Sequence, residues 1–147
     1  MSEYKEDCYD KVRWNEIDQL HEATLQISNN CFGYKKMCIS LLVAGVTFIT
    51  KFHSEASSYV LEVGYLMLIS GFGFWICDAN AYYFQKKNRN LMATKVAEIL
   101  THNTVESMQS QTLKPTTWFR AFFNHSMWLY YCVSLFGVGV VAVELCK

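Results

Sequence analysis

Polar and apolar positions are grouped in blocks along this chain, and each block has its own period. Across residues 8 to 32, Trp14, Ile17, Leu20 or His21, Thr24, Ile27 and Cys31 recur at spacings of three and four, the period of a helix with one apolar stripe. The opposite face carries Arg13, Glu16, Asp18, Glu22 and Asn29. Such a helix is too polar to cross a bilayer and is expected in the cytoplasm, packed on a neighbour or on a copy of itself.

Tyr34-Lys35-Lys36 opens the first apolar run, fourteen uncharged residues from Met37 to Thr50 that Lys51 closes. Fourteen is short for a span, but lysines at both ends can snorkel and lengthen it. The link Phe52 to Ser58 is short enough for a tight hairpin into the second run, Tyr59 to Arg89. No residue from Val63 to Cys77 is charged. Aromatics then thicken through Tyr82-Tyr83-Phe84 until Lys86, Lys87 and Arg89 close the segment. An apolar middle, an aromatic belt and basic residues in that order describe a helix leaving a membrane. Residues 86 to 113 keep helix-compatible apolar positions and are expected to continue this helix for some turns. Breaks fall at Asn103-Thr104, at Ser110 to Thr112 and before Pro115. Thr117 to Phe123 is a second aromatic belt, and Ser126 to Val143 gives eighteen uncharged residues, the cleanest span.

The expected fold is all-α and integral to a membrane: an N-terminal amphipathic helix plus three transmembrane helices in an oligomeric helical bundle. Its parts are a cytoplasmic helix (1–33), a transmembrane hairpin (34–84), a cytoplasmic helical linker (85–116) and a third span (117–147). A hairpin with a peripheral third helix is the alternative. Gly64, Ser70, Gly71 and Gly73, and later Gly137 to Val140, mark places where backbones can approach closely. Lys35, Lys36, Lys86, Lys87, Arg89, Lys95, Lys114 and Arg120 fall on one side of the spans, and Lys51 and Lys147 on the other. The positive-inside rule then puts the N-terminus in the cytoplasm and the C-terminus outside. No signal peptide is expected, because the first residues are polar and acidic.

Composition sharpens this only through its distribution. Apolar residues make up 52% of the 147, yet mean hydropathy is +0.07, so the average does not decide. Acids and bases crowd into residues 1–36 and 85–120, whereas a soluble helical domain would spread them along every helix. Zero net charge offers no basic field for duplex nucleic acid. The six cysteines have neither CxxC nor zinc spacing and read as small hydrophobes. No catalytic motif is present, the four histidines scatter across both sides of the membrane, and neither metal nor cofactor is expected.

Candidate chemistry is therefore electrostatic. Asp78 reads as a pore-lining or gating carboxylate, or as the partner of a basic residue across a subunit interface; the blander reading leaves it hydrogen-bonded at headgroup level. Glu62 is read the same way. Ser40, Thr47, Thr50 and Ser134 are the mild polar positions that a pore-lining helix would present, from the first or the third span. Lys86, Lys87, Arg89 and Lys95, with Lys35 and Lys36, form the basic cytoplasmic surface on which lipid headgroups or an anionic signal would bind.

The segments Ser28-Asn29-Asn30-Cys31-Phe32-Gly33-Tyr34-Lys35-Lys36 and Phe74-Trp75-Ile76-Cys77-Asp78-Ala79-Asn80-Ala81-Tyr82-Tyr83-Phe84-Gln85-Lys86-Lys87-Asn88-Arg89 resemble the SLATT-type membrane effectors of bacterial antiphage defence over about residues 15 to 100. The resemblance implies an oligomeric pore in the inner membrane, gated by a nucleotide second messenger from an operon-encoded synthetase, as in CBASS-like and Hailong-like systems. The third span after Pro115 departs from the simplest two-span members. Partners expected on this reading are the lipid bilayer, further copies of the chain and that messenger. The rival expectation is a non-conducting membrane anchor that recruits a cytoplasmic partner. An enzyme is not expected.

Overall fold

The computed structural model describes residues 8–52, 56–103 and 117–146, and among these every regular element is helical. Helix α1 runs Cys8–Phe52 and α2 runs Ala56–His102. The short α3, Trp118–Phe122, and a 3-10 turn at His125–Met127 lead into α4, Trp128–Leu145. At 1.5 Å per residue α1 is about 67 Å long and α2 about 70 Å, more than twice the roughly 30 Å of a hydrocarbon core. A bilayer crossed by both would leave a large part of each outside it as a two-helix stalk.

Three helical stretches are long and apolar enough to cross a membrane, within α1, within α2 and at His125–Leu145. Only 11% of the most apolar window of α1 and 17% of those of α2 and α4 is buried. Leaving Ile69, Leu135 and Phe136 64–74% exposed suits lipid or further protein around them rather than water.

The amphipathic segment and the first span are one helix. Tyr34-Lys35-Lys36, read from sequence as a boundary, lies inside unbroken α1, and the aromatic exit likewise lies inside α2. Divisions at 33/34 and 84/85 thus mark changes of surroundings along continuous helices. The break expected at Asn103 is present, since α2 stops at His102 and Asn103 forms the turn. The breaks expected at 110–115, and most of the 52–58 link, lie outside the described residues.

Seven-residue spacing explains how α1 and α2 stay together. Asp10, Ile17, Thr24, Cys31, Cys38 and Gly45 recur every seventh position of α1 and are buried or half-buried. On α2 the series is Asp78, Gln85, Met92 and Ile99. A strict seven-residue repeat keeps one seam of each helix facing its partner. Cross-links hold an antiparallel register: Asn103 Nδ2 donates to Asp10 Oδ2 at 2.9 Å, Lys95 Nζ to Glu16 Oε2 at 2.6 Å, and Lys35 Nζ lies 3.4 Å from Asp78 Oδ2. Arg13 and Glu16, assigned by periodicity to the solvated face, lie beside the seam, because Arg13 pairs with Glu98 at 3.2 Å and Glu16 with Lys95. Trp14, assigned to the packed stripe, is 40% exposed.

Helix α4 docks on α2 through small residues. A Cβ on Gly71 would meet Ser134 Oγ at 2.6 Å, one on Gly64 would meet Val141 at 2.7 Å, and one on Gly137 would lie 3.1 Å from the Gly64 carbonyl. Gly73 and Gly139 face open space, so the expected small face narrows to Gly64, Gly71 and Gly137. The core sits where all three long helices meet, at Cys38, Ala79, Phe122, Met127 and Tyr130. Trp75 anchors the aromatic belt there: its Nε1 donates to the Phe122 carbonyl at 3.0 Å and Tyr131 Oη donates to the same oxygen at 2.8 Å.

Candidate functional site

Two features in and beside the spans bear on function, a buried charge cluster and an exposed polar stripe. The cluster is built on Asp78, which the seven-residue repeat places on the packed seam of α2 and leaves 1% exposed. Lys35 reaches it from α1 at 3.4 Å and also donates to Ser126 Oγ, at the foot of α4, at 2.8 Å. The Cys31 thiol and the Tyr130 hydroxyl lie against the carboxylate. Neither completes a hydrogen bond to it, and both Asp78 oxygens and Tyr130 Oη are without one among the described residues. A carboxylate this buried is retained only beside a compensating charge. Lys35 supplies that charge from within the same chain, so no second subunit is needed to match Asp78. The cluster joins α1, α2 and α4 at one level, and its carboxylate points into protein.

The stripe lies on the other side of α1. Lys36, Ser40, Ala44, Thr47 and Lys51 are all exposed and fall within an arc of about 80° at 100° per residue. Their centre is about 180° from the face that carries Cys31, Lys35, Cys38, Leu42 and Ile49 toward the protein. Thr47 Oγ1 donates to the Val43 carbonyl at 2.7 Å, and Thr50, at the edge of the stripe, to the Thr47 carbonyl at 3.1 Å. Each hydroxyl thus keeps acceptor capacity directed outward. Exposed Val43 lies at the edge of the stripe, between it and Thr50.

The remaining candidates take up positions that sequence spacing does not reveal. Ser134 turns inward against Gly71 and lines an apolar groove of about 340 Å³ with Leu68, Ile69, Phe72 and Trp75. Glu62 is exposed and stands two residues before Gly64, which places it about 160° around α2 from the α4 contact. Lys95 is engaged by Glu16. Lys86 lies over the Tyr82 ring at 5.6 Å and Lys36 over the Phe32 ring at 4.4 Å. Lys87 and Arg89 are exposed, but two residues apart on a helix they point to opposite sides. The basic residues of one chain therefore do not converge on a single ligand.

Outside the spans, the stalk tip is closed by charge. The Arg13 guanidinium is pushed up from its ordinary value by its hydrogen bonds to Tyr9 and Glu16. Glu16 is held below the ordinary 4.5 by its hydrogen bonds to Lys95 and Arg13. Asp10 is fully buried, and the His102 ring, in contact with Tyr9, places Nδ1 3.8 Å from its Oδ1. Among the described residues no group of three or more His, Cys, Asp or Glu side chains is placed to hold a metal.

No family model, curated protein or solved structure matches this chain. The likeness of the aromatic exit to SLATT-type effectors therefore rests on those residues alone.

Proposed function

We propose that this chain self-assembles in a membrane and forms an ion-conducting pore, with the polar stripe of α1 facing the lumen. The observation that carries the reading is the contrast between that stripe and the surfaces around it. A helix facing only lipid has no use for Ser40, Ala44 and Thr47 in a row between lysines, whereas a water-filled conduit favours small polar side chains that leave room for ions. One chain with three spans encloses no conduit, so several copies must place their α1 helices around one axis. Helices α2 and α4 then form the outer wall, with Leu135, Phe136 and Val138 toward lipid.

On this reading the chain lies in a bacterial inner membrane with its stalk in the cytoplasm, as the distribution of lysine and arginine favours. We assign it the role of effector in antiviral defence, acting by depolarisation, on the resemblance of the aromatic exit. A cytoplasmic anionic signal, such as a nucleotide, would act at the stalk, where Lys87 and Arg89 of neighbouring copies remain available. A ring brings together basic residues that one chain holds apart.

A second reading has its own support. Ser40 and Ala44 are four residues apart, the spacing by which two membrane helices approach closely. Two α1 helices packed on that face would make a non-conducting anchor, with the stalk as the recruiting surface for a partner. Ion flux separates the two readings. The purified full chain in liposomes loaded with a potassium-sensitive dye is expected to collapse an imposed gradient, and Ser40→Leu with Thr47→Leu to abolish the collapse without reducing assembly. Absence of flux from an assembled, correctly inserted protein would leave the anchor.

A further inference from the structure

We infer that the ion this pore conducts is an anion, an assignment that rests on the pore reading and adds the sign of the permeant charge. In the membrane-embedded part of the stripe every charge is a lysine. Lys36 stands at the cytoplasmic end and Lys51 at the far end, both exposed and neither in an ion pair among the described residues. Repeated around an axis they become two basic rings, and rings of basic side chains admit anions and repel cations. Lysine pairs flanking a span are commonplace as snorkelling anchors, so the assignment depends equally on where the acids are.

Among the described residues, the acids near the spans are turned elsewhere. Asp78, which on sequence alone was a candidate pore carboxylate, is 1% exposed and directed toward Lys35, Cys31 and Tyr130 on the packed side of α1, opposite the stripe. It gives no negative charge to the lumen. Lys35 is held beside it, so the positive charge left for the lumen at that level is that of Lys36. Glu62 lies on α2, one turn from Leu66, which packs on Gly45 of α1, and Glu144 lies near the end of α4; neither stands on the stripe itself. The acids that do share the outward face of α1 are Asp18 and Glu22; the nearer, Glu22, stands fourteen residues before Lys36, about 21 Å along the helix. That exceeds two screening lengths of about 8 Å at physiological ionic strength, so Glu22 does not set the sign at the membrane. Thr47 spends its hydroxyl proton on the Val43 carbonyl, so between the lysines it is the Ser40 hydroxyl that can donate to a passing anion.

The test uses the full chain in a planar bilayer under a potassium chloride gradient and reads the reversal potential. The expected result is a reversal potential displaced toward that of chloride. Lys36→Glu and Lys51→Glu together are expected to reverse the order of permeation, and Lys36→Gln with Lys51→Gln to bring it near neutrality, which keeps the test usable if the glutamate variant inserts poorly. Arg120→Gln, a cation at the membrane boundary on α3 rather than on the stripe, and Asp78→Asn are expected to leave the selectivity of the channels that form unchanged. A wild-type current that prefers potassium, or a selectivity indifferent to both lysines, overturns the anion assignment and leaves the pore in place. No current from inserted, assembled protein overturns the pore and this assignment with it.

Discussion

Helices α1 and α4 both border the same α2, yet they present different surfaces outward. Along α4 the exposed positions are Trp128, Cys132, Leu135, Phe136, Val138, Gly139, Ala142, Val143 and Leu145, and its hydroxyls at Tyr130, Tyr131 and Ser134 turn toward α2 and α3. Along the span of α1 the outward surface is mixed: Leu42 and Ile49 share the inner face with Lys35 and Cys38, and Lys36, Ser40, Thr47 and Lys51 are exposed together with Met37, Ile39, Leu41, Val43 and Phe48. A helix that hides its hydroxyls is finished toward lipid, and one that shows them is built for contact with water or another protein. On the pore reading the two helices have different surroundings. Sequence alone left both as candidates for the lining, and the direction of Ser134 favours α1.

The largest effect that would break this comparison is on conduction itself. Ser40→Leu with Thr47→Leu is expected to abolish ion flux, while Val138→Thr on the outer face of α4 leaves flux within about twofold, as expected of a surface change away from the path; dye-reported depolarisation checks both. Next comes the cluster between the helices. Lys35→Met strands a carboxylate that is 1% exposed and is expected to cost up to about 3–5 kcal/mol of unfolding stability in detergent, the range for breaking a buried pair. Asp78→Asn should cost less, because the Lys35 side chain is 25% exposed and can turn to solvent. Replacing both, Lys35→Met with Asp78→Leu, should recover most of the loss. A Lys35→Met variant as stable as wild type would show that the pair is ornamental.

Smaller effects sharpen the α4 side. Gly71→Leu is expected to lose about 1–3 kcal/mol through overpacking against Ser134 and Val133, while Gly73→Leu, three or so ångströms along the same helix and open to space, should be close to neutral in the same thermal unfolding assay. The smallest effect is at the stalk tip. Glu16 titrates below 4.5 in the folded chain, through its bonds to Lys95 and Arg13. Its contribution is therefore present above the unfolded value and disappears as pH falls through the lower folded one. Protease cleavage of the stalk should rise over that acid window and rise less in Lys95→Ala, where the contribution is already missing. An unchanged pH dependence in Lys95→Ala would remove Glu16 as its source.

The three apolar runs, the stop of α2 beside Asn103 and the aromatic belt were legible because each rests on strong local signals: absence of charge, a turn-forming residue, clustered Trp, Tyr and Phe. The seam between α1 and α2 was not. Its repeating positions include Asp10, Thr24, Cys31, Asp78 and Gln85, which a search for apolar stripes passes over or assigns to water. Arg13 and Glu16 looked solvated for the same reason, since only the antiparallel register brings Glu98 and Lys95 opposite them. The partner of Asp78 was not legible either: Lys35 is 43 residues away and reads in sequence as one of a pair of boundary lysines. The signal that would have found it is the seven-residue count from Ile99 back through Met92 and Gln85 to Asp78.

Because α1 is one rod of 45 residues, torque cannot dissipate at a hinge between stalk and span. Neighbouring positions on a helix differ by about 100° in azimuth, and Thr47 is followed at once by Phe48, 64% exposed. Exchanging hydroxyl for phenyl at the far end of the rod takes a roll of about 100°, which the Asn103–Asp10, Lys95–Glu16 and Lys35–Asp78 links oppose along its length, so the seam fixes the azimuth of every exposed side chain on the rod at once.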